Sequence, residues 1–508
     1  MSLAVLASRA LRGIDGVAVR VEVHVGPGLP AFYLVGLPDA GVRESRERVR
    51  AAIISSGYEF PAGRITANLA PADLPKESGR FDLPIALGIL LASGQIAVGS
   101  TGHPPDLSHY VFAGELSLTG ALAPVDAPLV IAMAVWRSCP QAVLVMPKGC
   151  AGVAAHVKGL NVLQASSLQE VVAHLSGTAS LGVAAAAPSV LSASPAVCLS
   201  DVRGQASARR ALEIAASGGH SLLMSGPPGA GKSMLAHRLP GLLPQLDDAQ
   251  MLEVAALASL AGQRGMALHR TPPFRSPHHS ASMPALVGGG AIVRPGEISL
   301  AHRGVLFLDE LPEFGRRTLE SMREPLETGL VSIARAVGTV TYPAVFQLVA
   351  AMNPCPCGWS GHAQMPCHCT PEQILKYRGR LSGPLLDRID LQIALPAVNP
   401  AWMDAPAGES SAVVRERVLL CRQRQLRRQG CMNAMLAAQD LETHCLLVDS
   451  ARDMLRQAWQ RWNWSARVSH RIMRVARTLA DMQGLESIGP DQLAEAIQYR
   501  QPWGGAPS

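Results

Sequence analysis

Residues 222–235, Leu-Leu-Met-Ser-Gly-Pro-Pro-Gly-Ala-Gly-Lys-Ser-Met-Leu, constrain this chain more than any other stretch. An apolar, strand-like run enters a glycine-rich turn and leaves it as a helix. The turn matches G-x-x-x-x-G-K-[ST] in full, through Gly226, Pro227, Pro228, Gly229, Ala230, Gly231, Lys232 and Ser233. Its glycines let the backbone fold tightly, so that N–H groups point inward at phosphate oxygens. The N-terminus of the following helix adds a partial positive charge. Lys232 then supplies a mobile cation for β- and γ-phosphates, and the Ser233 hydroxyl is a ligand for Mg²⁺. The motif predicts a nucleoside triphosphate, ATP, with Mg²⁺ at a strand–loop–helix unit of an α/β fold.

A strand that completes such a site follows downstream. Gly304-Val-Leu-Phe-Leu-Asp-Glu310 is an apolar run ending in two acids, the pattern of a buried strand in a parallel sheet. Ligands in such sheets sit at the carboxyl ends of strands, where this run and the glycine-rich loop converge. Asp309 is placed to hold the Mg²⁺ shell and Glu310 to polarise an attacking water. A third strand, Val345 to Met352, ends in Asn353.

These motifs resemble those of AAA+ ATPases. The resemblance implies that Asp201-Val-Arg-Gly-Gln205 lies by the adenine, with Val202, Gly204 and Gln205 as base contacts. It implies that Asn353 reaches the γ-phosphate and orients water. Gly383-Pro-Leu-Leu-Asp-Arg-Ile-Asp390 resembles the arginine-finger segment of the Mg-chelatase and MCM branch. Arg388 would then project into a neighbouring subunit's site, which requires a ring; the alternative is a surface ion pair with Asp387 or Asp390.

At 508 residues the chain has room for about two to four domains. A net charge of +6 permits nucleic-acid binding without requiring it. No apolar run reaches the roughly 18 residues of a membrane span. The start, Met-Ser-Leu-Ala-Val-Leu-Ala-Ser-Arg, lacks the basic n-region of a secretory signal, so a cytoplasmic location is expected. Ten cysteines in so long a chain do not make a disulfide scaffold.

Residues 1–175 read as an α+β domain. Strands are expected at Val17–Val25, Ala31–Gly36, Arg64–Ala70, Tyr110–Leu118 and Ala142–Met146, and helices at Val42–Ser56 and Leu83–Ser93. The order of elements resembles the proteolytic domain of Lon-type proteases (a ribosomal S5 domain 2-like fold), a family with a Ser-Lys dyad. Here Phe81 or Asp82 stands where the serine would fall, and Pro128-Leu129 where the lysine would fall. Ser78 is the nearest hydroxyl. Without a lysine base a serine has no evident activation, so a binding or assembly module is expected, not a protease. Residues 176–199, rich in Ala, Ser, Pro and Gly and without charge, read as a linker.

Residues 200–397 form the expected AAA+ core. Phe274 to Gly290 reads as a polar, glycine-bearing insertion in which His278 and His279 are not a metal pair. Val331 to Tyr342 alternates as a β-hairpin, with Arg335 a candidate contact to DNA phosphates; a hairpin packing within the ring is the alternative. Cys355, Cys357, Cys367 and Cys369 form C-x-C…C-x-C, and four thiolates can close a tetrahedral structural Zn²⁺ site. Residues 398–508 read as a helical lid. Helices are expected over 411–430, 450–462 and 465–481, the last with Val468, Ile472, Val475 and Leu479 on one face.

Four further stretches sharpen the resemblance: Asn68-Leu-Ala-Pro-Ala-Asp-Leu, Phe81-Asp-Leu-Pro-Ile-Ala-Leu-Gly, Gly296 to Glu310, and Met352-Asn-Pro-Cys-Pro-Cys-Gly. Across essentially the whole chain they are similar to the YifB/ComM family of Mg-chelatase-like AAA+ proteins. The family implies an ATP-driven ring motor, a hexamer acting on single-stranded or branched DNA and promoting branch migration in natural transformation. It implies that Arg467, in Ser-x-Arg at the start of the last-named helix, touches the γ-phosphate, with Arg471 as the fallback. A chelatase-type motor subunit that remodels a protein partner is the alternative.

Overall fold

The structure is a computed structural model of the single chain. It describes residues 3–37, 40–72, 74, 76, 79–96, 106–186, 197–263, 268–290, 293–335, 338–362, 364–397 and 406–500. Two compact units divide the chain: 1–190 with 248–268, and 191–247 with 269–508.

The first unit is built on an eight-stranded mixed sheet. Its strands are β1 (Leu3–Arg12), β2 (Asp15–Gly26), β3 (Ala31–Val35), β4 (Arg64–Ala70) and β5 (Tyr110–Phe112). After a short hairpin, β6 (Glu115–Leu116) with β7 (Leu122–Ala123), come β8 (Val143–Pro147), β9 (Asn161–Ala165) and β10 (Gly182–Val183). The spatial order is β10-β9-β8-β5-β1-β2-β4-β3. Strand β2 alternates as its sequence predicts, with Val19, Val21 and Val23 buried. They face helix α2 (Asp82–Ala92), which approaches closely because Gly88 has no side chain; a Cβ there would lie 2.5 Å from Val23.

Three expectations change in this unit. The first twelve residues, read only for targeting, hold strand β1, paired along its length with β2. The single strand expected over Tyr110–Leu118 breaks at Ala113-Gly114, because Gly114 bonds instead to Arg80 and Leu83 at the start of α2. Within 176–199, Gly182 and Val183 pair with β9 as a sheet edge. The helix Asp248–Leu260 joins this unit and packs on the Pro128–Ser138 helix.

Asp82 is buried, bonded to Ser45, Arg48 and the Leu116 amide, and Lys76 is buried with its ammonium on the Pro71 carbonyl. Pro128 and Leu129 open a helix. Ser78 lies outside the described residues.

The second unit carries a five-stranded sheet of β11 (Leu222–Ser225), β12 (Phe274–Arg275), β15 (Val305–Leu308), β18 (Gln347–Met352) and β19 (Leu391–Ala394). Two small pairs lie between these in sequence: β13 (Gly288–Gly289) with β14 (Arg294–Pro295), and β16 (Leu330–Arg335) with β17 (Gly338–Pro343). The order is β12-β15-β18-β11-β19, every neighbour parallel. The apolar runs of β11, β15 and β18 are buried throughout, as a sheet covered on both faces requires. The stretch read as an insertion, 274–290, contains edge strand β12 and a short helix, Met283–Val287, capped by Ser282.

Helices follow at Ser411–Gln429, Asp449–Trp462 and Ala466–Gln483, within two residues of the expected bounds. Val468, Ile472, Val475 and Leu479 are buried in one cluster with Leu222, Met224, Val349 and Ile393 of the sheet. The C-terminal helices therefore share the core of the nucleotide-motif sheet.

Candidate functional site

Three neighbouring strands deliver the predicted residues to one end of the sheet. Strand β11 runs into the loop 226–231, β18 into Asn353, and β15 into Asp309 and Glu310. Parallel pairing puts Ser225 opposite Met352, so the residues that follow emerge side by side. The loop turns at Gly229 and Gly231, both at positive φ where a side chain would be strained, and Gly226 donates its N–H to the Met352 carbonyl.

Lys232 is folded back over this turn. Its Nζ donates to the carbonyls of Gly226 at 2.6 Å and Pro227 at 3.0 Å, and to Asn353 Oδ1 at 3.0 Å. Burial lowers its pKa, against the pull of Asp309 and Glu310. A cation this desolvated gains by meeting an anion, and phosphate oxygens would replace two carbonyls as partners. Ser233 Oγ donates to Asp309 Oδ2 at 2.8 Å, so the two expected Mg²⁺ ligands already touch. Both are oxygens, the donor type that Mg²⁺ prefers.

Glu310 sits at φ 51°, and its carboxylate pairs with His279 at 3.0 Å. Sequence reading passed over His279, because adjacent histidines suggested only a polar loop. The two rings in fact lie together, tilted by 34° with centroids 4.1 Å apart, and His279 reaches Glu310.

On the other side of the loop, Gln205 Nε2 donates to the Ala230 carbonyl at 2.6 Å, bracing the turn from below. Val202 is buried in the core of this unit, and a Cβ at Gly204 would meet nothing within 4 Å.

The arginines are placed differently. Arg388 is buried, and it pairs neither with Asp387 nor with Asp390, the sequence alternatives. Its guanidinium bonds Glu327 at 2.6 Å and the Pro384 carbonyl at 2.7 Å. Arg467 is exposed and meets the same Glu327 at 3.4 Å. Burial works against the Glu327 charge, but Arg388, Arg467 and Arg471 together hold its pKa below the usual range. Arg471, the fallback, bonds Asp390 at 2.5 Å instead, a buried carboxylate that also meets His220. Glu327 was missed because nothing in its local sequence, Arg-Glu-Pro-Leu-Glu-Thr, marks it; only the fold brings two distant arginines to it.

Beyond Asn353 the chain forms a turn-rich loop. Cys355, Cys357, Cys367 and Cys369 come together with their sulfurs all within 4.8 Å of one another. Arg335 is exposed at the end of β16, next to Gly289; the tip of its hairpin, 336–337, lies outside the described residues. No helix among the described residues is long and apolar enough to cross a membrane.

Comparison with known sequences gives a consistent result. The pattern described as magnesium chelatase, subunit ChlI, matches residues 198–403. That of subunit ChlI of Mg-chelatase matches 21–149, and the ChlI C-terminal pattern matches 408–500. The chain is 47% identical to the protein YifB of Escherichia coli K12 over 504 residues, 98% of this chain and 97% of that one. It is 46% identical over 509 residues to the competence protein ComM of Haemophilus influenzae, with 98% of each chain covered.

Proposed function

The chain belongs to the magnesium-chelatase ChlI-type family shared by YifB and ComM proteins, and from that premise we propose that it is an ATP-hydrolysing AAA+ ring motor acting on DNA. The observation that carries the chemistry is the pair of hydrogen bonds Lys232–Asn353 and Ser233–Asp309 at the carboxyl ends of adjacent parallel strands. In this reading the loop 226–233 wraps the phosphates, with Lys232 as the β/γ-phosphate cation. Ser233 and Asp309 hold Mg²⁺, which would neutralise developing phosphate charge. Glu310 polarises the water, and Asn353 orients it against the γ-phosphate. Val202, Gly204 and Gln205 border the base.

The motor reading places Arg388 at the boundary between subunits of a hexameric ring and Arg467 at the γ-phosphate. Glu327 holds both within one chain, so their service to a nucleotide would require release from that carboxylate. DNA is the proposed substrate, single-stranded or branched, with the activity a helicase driving branch migration during transformation or recombination in the cytoplasm. Its support is the full-length similarity to a protein named for competence and the exposed Arg335 on its hairpin. The four cysteines would hold a structural Zn²⁺, for which four clustered thiol sulfurs are a fitting donor set.

A branch-migration assay comparing wild type with Lys232→Ala tests the reading, alongside ATP turnover with and without DNA. DNA-stimulated turnover and Lys232-dependent strand exchange are the expected results. Turnover indifferent to both single-stranded and branched DNA would remove DNA as the substrate.

A further inference from the structure

We propose that the four-cysteine loop is a metal-dependent clamp on the phosphate-binding loop. A thiophilic divalent ion of the zinc class, held by Cys355, Cys357, Cys367 and Cys369, fixes the segment that presses on Pro228 and presents Asn353, and so sets the affinity for nucleotide. This rests on the reading of residues 226–233 as the nucleotide site.

The four sulfurs lie within 4.8 Å of one another, and three of them are spaced close to the edges of a thiolate coordination tetrahedron. Cys355 lies 3.4 Å from Cys357 and 3.7 Å from Cys367, and Cys357 lies 3.6 Å from Cys367. Four sulfurs each about 2.3 Å from a zinc ion stand about 3.8 Å apart, whereas a disulfide brings two to about 2.05 Å. Backbone N–H groups point at the cluster as they do toward metal thiolates: Ser360 to Cys355 at 3.3 Å and Cys357 to Cys369 at 3.4 Å. Among the described residues from 353 to 370 there is no helix or strand. The sulfur cluster is therefore the main closure of this loop, and a bound ion supplies the free energy to hold it.

The loop touches the nucleotide site at two points. Gly358, at φ +86°, lies so close to the phosphate loop that a Cβ there would come within 2.7 Å of Pro228 Cδ and 2.8 Å of its Cγ. Asn353, whose side chain holds Lys232, stands two residues before Cys355. The helix that follows the last cysteine, Pro371–Arg378, returns to the same place. Arg378 Nε donates to the Pro354 carbonyl at 3.2 Å, and the buried Tyr377 shares a hydrogen bond with the Asn353 backbone. The cluster thus ties together both chain segments that set the position of Asn353.

The full-length protein tests this directly. Zinc content and the visible spectrum after Co²⁺ exchange report the ion, and a fluorescent ATP analogue with Mg²⁺ reports nucleotide affinity. Expected are one ion per chain, a tetrahedral thiolate spectrum, and a loss of nucleotide affinity of about tenfold when phenanthroline removes zinc, reversed on adding it back. Gly358→Ala should weaken nucleotide binding while keeping the Co²⁺ spectrum, which separates the clamp from general folding. Because coupling between two sites is reciprocal, bound nucleotide should slow zinc release to the chelator. Cys367→Ser should lose the ion. Absence of a thiolate spectrum would overturn the proposal, as would nucleotide affinity that ignores both zinc removal and Gly358→Ala. A wild type that binds no nucleotide in either metal state would overturn the assignment of the loop itself, and Lys232→Ala, losing nucleotide but not zinc, would uphold that assignment.

Discussion

At the scale of single residues, Lys232 shows how much of the site is preorganised. Its ammonium already has three oxygen partners, so a phosphate gains a fixed cation at little ordering cost. Lys232→Ala should cut ATP turnover by about 100-fold or more, read by steady-state phosphate release; turnover within a few-fold of wild type would refute the role. His279 makes a subtler prediction. Its bond to Glu310 turns the carboxylate toward the 274–290 segment. His279→Ala should raise basal turnover while leaving KM for ATP unchanged, and an unchanged kcat would show that the contact does not restrain Glu310. Lys232, Ser233, Asp309, Glu310 and Asn353 could be nominated from short motifs, and the fold brings them to one end of the sheet. His279 and Glu327 could not be, since their roles depend on partners 31 and 61 or more positions away in sequence (279 to 310; 327 to 388).

At the scale of elements, helix Ala466–Gln483 and the sheet depend on each other through Asp390. The carboxylate joins Arg471 on the helix, His220 before β11 and the Ser221 amide. Burial by itself would raise its pKa, yet the Arg471 charge and the His220 hydrogen bond hold it below the ordinary range. Its folded pKa is therefore below the unfolded value of about 3.9. The resulting stability is complete above that value and is lost as pH falls through the folded pKa. Asp390→Asn should cost about 3–5 kcal/mol at pH 7, because it leaves Arg471 buried without its charge partner. It should also flatten the acid limb of an unfolding profile followed by circular dichroism. A profile superimposing on wild type would refute this. The helices themselves were readable from period and caps: Ser465 caps its helix, and the apolar face at 468, 472, 475 and 479 is the buried one. What that face packs against was not readable, since amphipathicity names a face and not its partner. Ile472→Ala, emptying a fully buried position under the sheet, should cost about 2–5 kcal/mol in denaturant titration.

At the scale of the whole molecule, the proposed DNA substrate predicts binding with a strong salt dependence by this chain of net charge +6. Arg335→Ala should lower DNA affinity across all sequences and reduce the salt slope by about one, measured by fluorescence anisotropy at several ionic strengths. Equal slopes would remove Arg335 from the DNA contact. Sedimentation with and without ATP checks the ring: nucleotide should shift the protein to a larger species, and a monomer at all concentrations would refute the subunit-boundary role of Arg388. Composition bounded this level only loosely, because charge and length permit many partners.

By itself, the sequence determined the local chemistry and the local structure that presents it: a glycine turn before a lysine, apolar runs ending in acids or an amide, helices with their caps. These are set by residues a few positions apart, where backbone sterics and hydrogen bonding decide the outcome. Tertiary structure alone decided the pairings across long separations, because only the fold brings those segments together; for Arg388, Arg471 and Asp390 burial adds the need for a partner. It sent Arg388 and Arg467 to Glu327, Arg471 to Asp390, His279 to Glu310, and the four-cysteine loop against Pro228. The loop at 226–233 is a glycine-rich turn leading into a lysine by its sequence; what it rests on, and what holds its lysine, come only from the fold.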